Sequence, residues 1–245
     1  MTDADSASGP VTVVLVHGAF ADGSGWSGVI ERLQAANVPV RAIVNPLRGI
    51  AADSAYVASV FSQIPGRILA VGHSYGGAII TNAATNAGNV VGLVYVAAFA
   101  PDEGETLQEI EAGSTDSVLN AAIRPSEFPI GSGPETAAEL SIDAASFHDA
   151  FAGDLPEKDA AILCAAQRPV AAAAFGETNG PAAWKKLPAW AVVATGDKAA
   201  GADVVRSMAK RANAHIAEVA GSHVIMISQP QAVTDTIMKA LQAVA

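Results

Sequence analysis

Short β-branched apolar runs alternate along this chain with longer stretches of helical spacing. Residues 11–16 (Val-Thr-Val-Val-Leu-Val) are apolar at almost every position and end at His17-Gly18. A run apolar on both faces predicts a strand covered on both sides in a parallel sheet. Helical spacing follows at Val29, Ile30 and Leu33, then a second strand over 38–44 closed by Asn45-Pro46. Asp53 precedes a helix carrying Tyr56, Val57, Val60 and Phe61, which Pro65-Gly66 ends. A third strand over 67–72 leads into a helix over 76–87 that Gly88 stops, and 90–97 is a fourth strand. Strands over 190–194 and 215–219, with helices over 202–211 and 228–244, complete the series. Strict alternation predicts an α/β fold with a doubly wound, mostly parallel sheet of about six strands and helices on both faces.

One region breaks this rhythm. Residues 101–187 hold short helical patterns divided by Pro125, Pro129, Pro134, Pro156 and Pro169, with no strand pattern. The stretch is too long for a loop. It predicts a helical cap inserted in a core made of 1–100 and 188–245.

The 245 residues are 51% apolar and 16% charged, enough to bury one sizeable core. A net charge of −10 argues against nucleic-acid or anionic-membrane partners, which need clustered Lys and Arg. Cys164 is the only cysteine, so no intramolecular disulfide can form. Its alanine-rich neighbourhood, without a histidine, reads as filler rather than as a nucleophile. The first ten residues lack the basic start and apolar run of a signal peptide. The longest apolar strings fall short of the ~18 residues that span a bilayer. A soluble, cytoplasmic protein is the expectation, and a homodimer is compatible with the fold.

The chemistry concentrates at Gly72-His73-Ser74-Tyr75-Gly76, between a strand and a helix. That setting suits a turn sharp enough to expose a serine hydroxyl, with glycines where side chains would collide. An ordinary glycine-rich strand-to-helix turn is the bland alternative. Serine needs a base to take its proton. Among five histidines, His17 and His73 sit at strand ends and suit loop support. His148 lies in the insertion and His215 starts a strand. His223 stands in the loop after the last strand, at the sheet edge that Ser74 also occupies. Asp197, in Thr195-Gly196-Asp197, ends the preceding strand and can orient that base. Asp203 reads better as first-turn helix charge. The catalytic set is therefore Ser74, Asp197 and His223, in the order this architecture uses. For an oxyanion, backbone N–H groups of Tyr75 and of Ala19 (or Phe20 instead) are the candidate donors. Phe20, Phe128, Phe147, Trp184 and Val224 are the candidate substrate contacts. No metal or cofactor is expected.

With these residues in place, the chain resembles the α/β-hydrolase superfamily over nearly its whole length. Its pattern is most similar to the branch of plant methyl esterases and hydroxynitrile lyases. The cues are Val16-His17-Gly18-Ala19 followed by Gly25-Trp26, the 72–76 turn, Thr195-Gly196-Asp197-Lys198, and Gly221-Ser222-His223. The lyases of that branch carry threonine after the first-strand histidine and lysine after the base; Gly18 and Val224 stand there instead. The resemblance therefore implies an esterase acting on small to medium, largely apolar esters or lactones. C–C bond hydrolysis or lyase chemistry, perhydrolysis, and a non-catalytic ligand receptor are the alternatives on the same fold.

Overall fold

The computed structural model describes residues 9–245. Residues 1–8, most of the segment read above for a signal peptide, lie outside the described residues.

In chain order the strands are β1 (Thr12–Val16), β2 (Val40–Ile43), β3 (Ile68–His73), β4 (Val90–Val96), β5 (Ile123–Pro129), β6 (Thr136–Ile142), β7 (Val170–Ala171), β8 (Ala189–Ala194) and β9 (His215–Val219). The helices are α1 (Ser27–Ala35), α2 (Ile50–Ser62), α3 (Tyr75–Ala83), α4 (Leu107–Ala112), α5 (Leu119–Ala122), α6 (Ala144–Phe151), α7 (Glu157–Ala166), α8 (Ala173–Gly176), α9 (Ala202–Arg211), α10 (Ile225–Ser228) and α11 (Pro230–Val244).

Six strands form one parallel sheet in the order β2-β1-β3-β4-β8-β9. β3 and β8 are buried at every position, as strands covered by helices on both faces must be. The chain steps outward from β1 to β2, then returns to place β3 on the other side of β1. Ligand sites of open α/β sheets form at such a reversal, beyond the carboxyl ends of the strands. The loop after β1 and the turn after β3 meet there.

The insertion between β4 and β8 is not purely helical, which corrects the expectation of a helical cap. β5 and β6 form an antiparallel hairpin and β7 adds to β6. Two features hid it from the pattern. β5 is an edge strand exposed along most of its length, so it lacks the alternation that half-burial imposes. Its Pro125 and Pro129 are tolerated because an edge strand has one side without ladder bonds. Helices α6 and α7, from the same insertion, lie over the carboxyl edge of the main sheet, where Phe151 packs against Phe20 with ring centroids 6.1 Å apart.

Candidate active site

Ser74 sits between the last residue of β3 and the first of α3 with φ 53° and ψ −126°. A non-glycine residue held there stores about 1–3 kcal/mol, sustained only by surroundings that over-determine it. Those surroundings are visible. A Cβ at Gly72 would lie 2.5 Å from the Gly76 carbonyl oxygen, and one at Gly76 would lie 2.5 Å from that of Val16. Both glycines are required by backbone packing. The Ser74 carbonyl accepts the N–H groups of Gly77 and Phe99 at 2.9 and 3.2 Å.

His223 and Asp197, on loops after β9 and β8, meet in a side-chain hydrogen bond of 2.8 Å from His223 Nδ1–H to Asp197 Oδ2. The other Asp197 oxygen accepts the N–H groups of Ala199 and Ala200 at 2.9 and 3.0 Å. The carboxylate is thus fixed at both oxygens and 1% exposed. With Nδ1 carrying the proton, Nε2 of His223 is free to accept one. The two loops are joined by Gly196 N–H donating to the Gly221 carbonyl at 2.9 Å.

The other histidines have supporting roles. His17 donates Nδ1–H to the Gly18 carbonyl at 2.9 Å and accepts the Asn45 N–H on Nε2 at 3.0 Å. Burial holds its pKa below the usual value. His73 donates Nε2–H to the carbonyl of His223 itself at 3.0 Å, its ring 4.7 Å from the His223 ring. Burial, then the neighbouring His223, pushes His73 well below the usual range, so it stays neutral beside His223. His148 donates Nε2–H to the Leu155 carbonyl at 2.8 Å within the insertion. His215 stacks on Trp190 at 5.6 Å, far along the strands from this edge.

Of the backbone donors, the Phe20 N–H is already given to the Arg168 carbonyl of the insertion at 3.1 Å. The Ala19 N–H makes no bond to a protein group among the described residues, which favours it over Phe20. Tyr75 is the first residue of α3, so its N–H is one of the first-turn donors a helix leaves unpaired. Gly18 is pressed against the turn: a Cβ there would lie 2.6 Å from Ser74 Cβ and 2.8 Å from the His73 oxygen.

A small cleft beside Val224 is lined by Phe20, Phe151, Leu163, Val224, Met226 and Ile227, with Asp22 and Ser24 on its polar side. Phe20 and Val224, two of the residues expected at the substrate, are among its lining. Phe147 is buried one layer back, its ring 5.1 Å from that of Phe151. Phe128 and Trp184 are elsewhere, a correction to the expected pocket. Phe128 lies on β5 under the Arg48 guanidinium, and Trp184 donates its indole N–H to the Pro101 carbonyl near Arg211. Both were chosen as large apolar residues of the insertion, and a side chain's size does not say which way its element faces. Phe151, whose ring lies 4.9 Å from that of His223, is the insertion aromatic that lines the cleft instead. Its only sequence signal is its place four residues after Phe147 on one helix face.

Sequence reasoning also missed Asp53, fully buried at the start of α2. It accepts the Tyr75 hydroxyl at 2.8 Å and the Arg48 N–H at 3.0 Å. Burial raises its pKa despite these donors, and burial together with the Asp53 charge raises that of the Tyr75 phenol. Among the described residues no cluster of three or more His, Cys, Asp or Glu converges as metal ligands. No helix among them is long and apolar enough to cross a membrane.

A doubly wound parallel sheet with a serine on a strained strand-to-helix turn at its carboxyl edge is the architecture of one large enzyme superfamily. The sequence matches the Alpha/beta hydrolase family over residues 13–236, and the chain belongs to that family. Comparison with curated proteins gives no significant match. Among solved structures, it is similar to a pyrethroid hydrolase from Sphingobium faniae, with 20% identity, a TM-score of 0.77 and coverage of 96% of this chain and 98% of that one. Polyneuridine aldehyde esterase gives 18% identity and a TM-score of 0.78, over 95% and 99% of the two chains. A methylesterase from Arabidopsis gives 16% and 0.75, over 95% and 99%. At these identities the likeness is one of fold.

Proposed function

We propose that the protein hydrolyses carboxylic esters or lactones through an acyl-enzyme on Ser74. The observation that carries this reading is the Asp197–His223 hydrogen bond at the edge where the Ser74 turn lies. His223 Nε2 takes the Ser74 Oγ proton as Oγ bonds to the ester carbonyl carbon. The carbonyl oxygen becomes an oxyanion held by the N–H groups of Ala19 and Tyr75. Its collapse breaks the carbon–oxygen bond to the alcohol, which leaves with the proton from His223. Water then gives a proton to His223 and its oxygen to the acyl carbon, and loss of the Ser74 oxygen frees the acid and restores the hydroxyl.

The apolar lining of the cavity beside Val224 suits small to medium, neutral, largely apolar substrates, and the Asp22 carboxylate on its polar side disfavours anionic ones. The similar structures named for esterase activity, and the one named a pyrethroid hydrolase, support ester cleavage on this fold. A small-molecule ester or lactone is then the only partner the reaction needs. Turnover of p-nitrophenyl acetate, with intact-mass detection of a fluorophosphonate adduct on Ser74, tests the reading. Ser74→Ala should lower kcat by about 10⁴ or more and abolish the adduct. Retention of wild-type kcat by Ser74→Ala would overturn it.

A further inference from the structure

Two carboxylates of the insertion reach the residues that adjoin Asp197 and His223 in sequence. Asp149 pairs with Lys198 Nζ at 2.6 Å, next to Asp197. Asp154, just beyond the end of α6, accepts the hydroxyl proton of Ser222, next to His223. The two contacts differ in weight. The Asp149–Lys198 pair is half or more exposed on both sides, so water and salt screen it and it holds little. The Asp154 bond is partly buried and charge-assisted, the stronger kind. Burial alone would raise the Asp154 carboxyl, yet the Ser222 hydroxyl, with Ser228 and the Ser222 backbone behind it, holds it below the usual carboxylate range, so it stays ionised. The approach is close: a Cβ on Gly221 would lie 2.7 Å from Asp154 Oδ2, so glycine there makes room for the carboxylate.

We infer that Asp154 is a positioning residue that holds the His223 loop through Ser222, so that the base is aligned only while the insertion is seated on the core. The inference rests on the esterase reading above. His223 is otherwise gripped at its carbonyl by His73 and at Nδ1 by Asp197. Both grips come from the core. Asp154 is the polar grip from the insertion side, three residues after Phe151, whose ring lies against His223. Without it the loop's polar anchors are those of the core alone, and the His223 ring can tilt away from the Ser74 hydroxyl. Misplacement of a catalytic group by about 1 Å costs on the order of 10² in rate.

Fluorophosphonate labelling rate, kcat and KM on p-nitrophenyl acetate, and thermal midpoint would be compared for wild type, Asp154→Ala, Asp154→Asn, Ser222→Ala and the double alanine variant. Asp154→Ala and Ser222→Ala should each lower kcat and labelling rate by about 10- to 100-fold with KM nearly unchanged. The double variant should lose no more than Asp154→Ala alone, because Ser222→Ala removes only a contact that Asp154→Ala already removes. Asp154→Asn should recover most of the rate, since its amide oxygen still accepts the Ser222 hydroxyl. A purely structural role would lower the thermal midpoint and leave kcat and labelling of the folded protein unchanged; that result overturns the inference, as does a multiplicative loss in the double variant. If Asp154→Ala does not fold, Ser222→Ala decides by the same readouts. A wild-type protein that Ser74 labelling never touches would overturn the esterase reading and this inference with it. Labelling at equal rates in wild type and the variants overturns the inference alone.

Discussion

Replacing Gly18 by alanine puts a methyl group where the structure has no room. The new carbon would stand 2.6 Å from Ser74 Cβ and 2.8 Å from the His73 carbonyl oxygen, whereas carbon contacts are comfortable from about 3.5 Å. Neither obstacle is the end of a flexible side chain. One is backbone, and the other is fixed to the strained Ser74 main chain. Relief requires the 18–20 loop and the Ser74 turn to separate by about 1 Å, the difference between the built and the comfortable contact. That movement draws the Ala19 N–H away from the Tyr75 N–H. Losing one of two oxyanion donors costs about 10²–10³ in kcat, and the overpacking costs about 1–3 kcal/mol of stability. For a chain of this size the latter lowers the thermal midpoint by about 2–4 °C per kcal/mol. Steady-state kinetics on p-nitrophenyl acetate, beside a thermal melt, reads both effects. A folded Gly18→Ala protein with wild-type kcat would refute the placement of the oxyanion donors. Threonine at 18 should be worse still, so one substitution at this position cannot import the feature that the hydroxynitrile lyases carry there.

Three further outcomes are expected. Asp53→Ala leaves the buried Tyr75 hydroxyl and the Arg48 N–H without their acceptor, which costs about 1–3 kcal/mol for each group, and urea unfolding at neutral pH should show a loss of that order; a variant as stable as wild type would sink the account. Burial raises the folded pKa of Asp53 above its ordinary 3.8, so its contribution to stability is fully present below that value and is lost as pH rises through the folded pKa. The wild-type advantage over Asp53→Asn should therefore shrink as pH rises from about 4, and unfolding curves showing it constant or growing would contradict this. Leu163→Trp should fill the cavity beside Val224 and raise KM for long-chain esters more than for acetate, while Phe128→Ala and Trp184→Ala leave kcat/KM unchanged; a ranking the other way round would relocate the substrate.

The parallel core was legible because both of its signals are local. β1 and β3 are apolar at consecutive positions since helices cover both faces, and Gly72 and Gly76 mark backbone crowding within a few residues; the helix expected to run to 87 and stop at Gly88 instead ends as α3 at Ala83. The limits of α9 and β9 follow directly, for the same reason. The helix expected over 228–244 is α11, starting at Pro230, which takes the first helical position; the short α10 before it falls in what was read as loop. The β5–β6 hairpin left no such trace, as its exposed strand has no buried face to alternate against.

At the site, the residues that were legible belong to loops whose position is set by the strand they follow. Ser74, Asp197 and His223 each come after a parallel strand, so one rule places all three at the carboxyl edge. Residues that reach them through another side chain or from the insertion obey no such rule. Asp53 reaches the turn through a tyrosine side chain. Phe151 and Asp154 reach the His223 loop from a segment whose docking depends on tertiary packing, and Arg168 meets the 18–20 loop through its main-chain carbonyl, which carries no sequence signal. The Arg168 contact also ties the two halves of the site together. Its carbonyl occupies the Phe20 N–H while Asp154 accepts the Ser222 hydroxyl, so the seated insertion touches the 18–20 loop and the His223 loop at once. An insertion that lifted to admit a bulky ester would release both contacts together. Reactivity toward small and large substrates should then differ in kcat as well as in KM, which a rigid pocket of fixed shape would not produce.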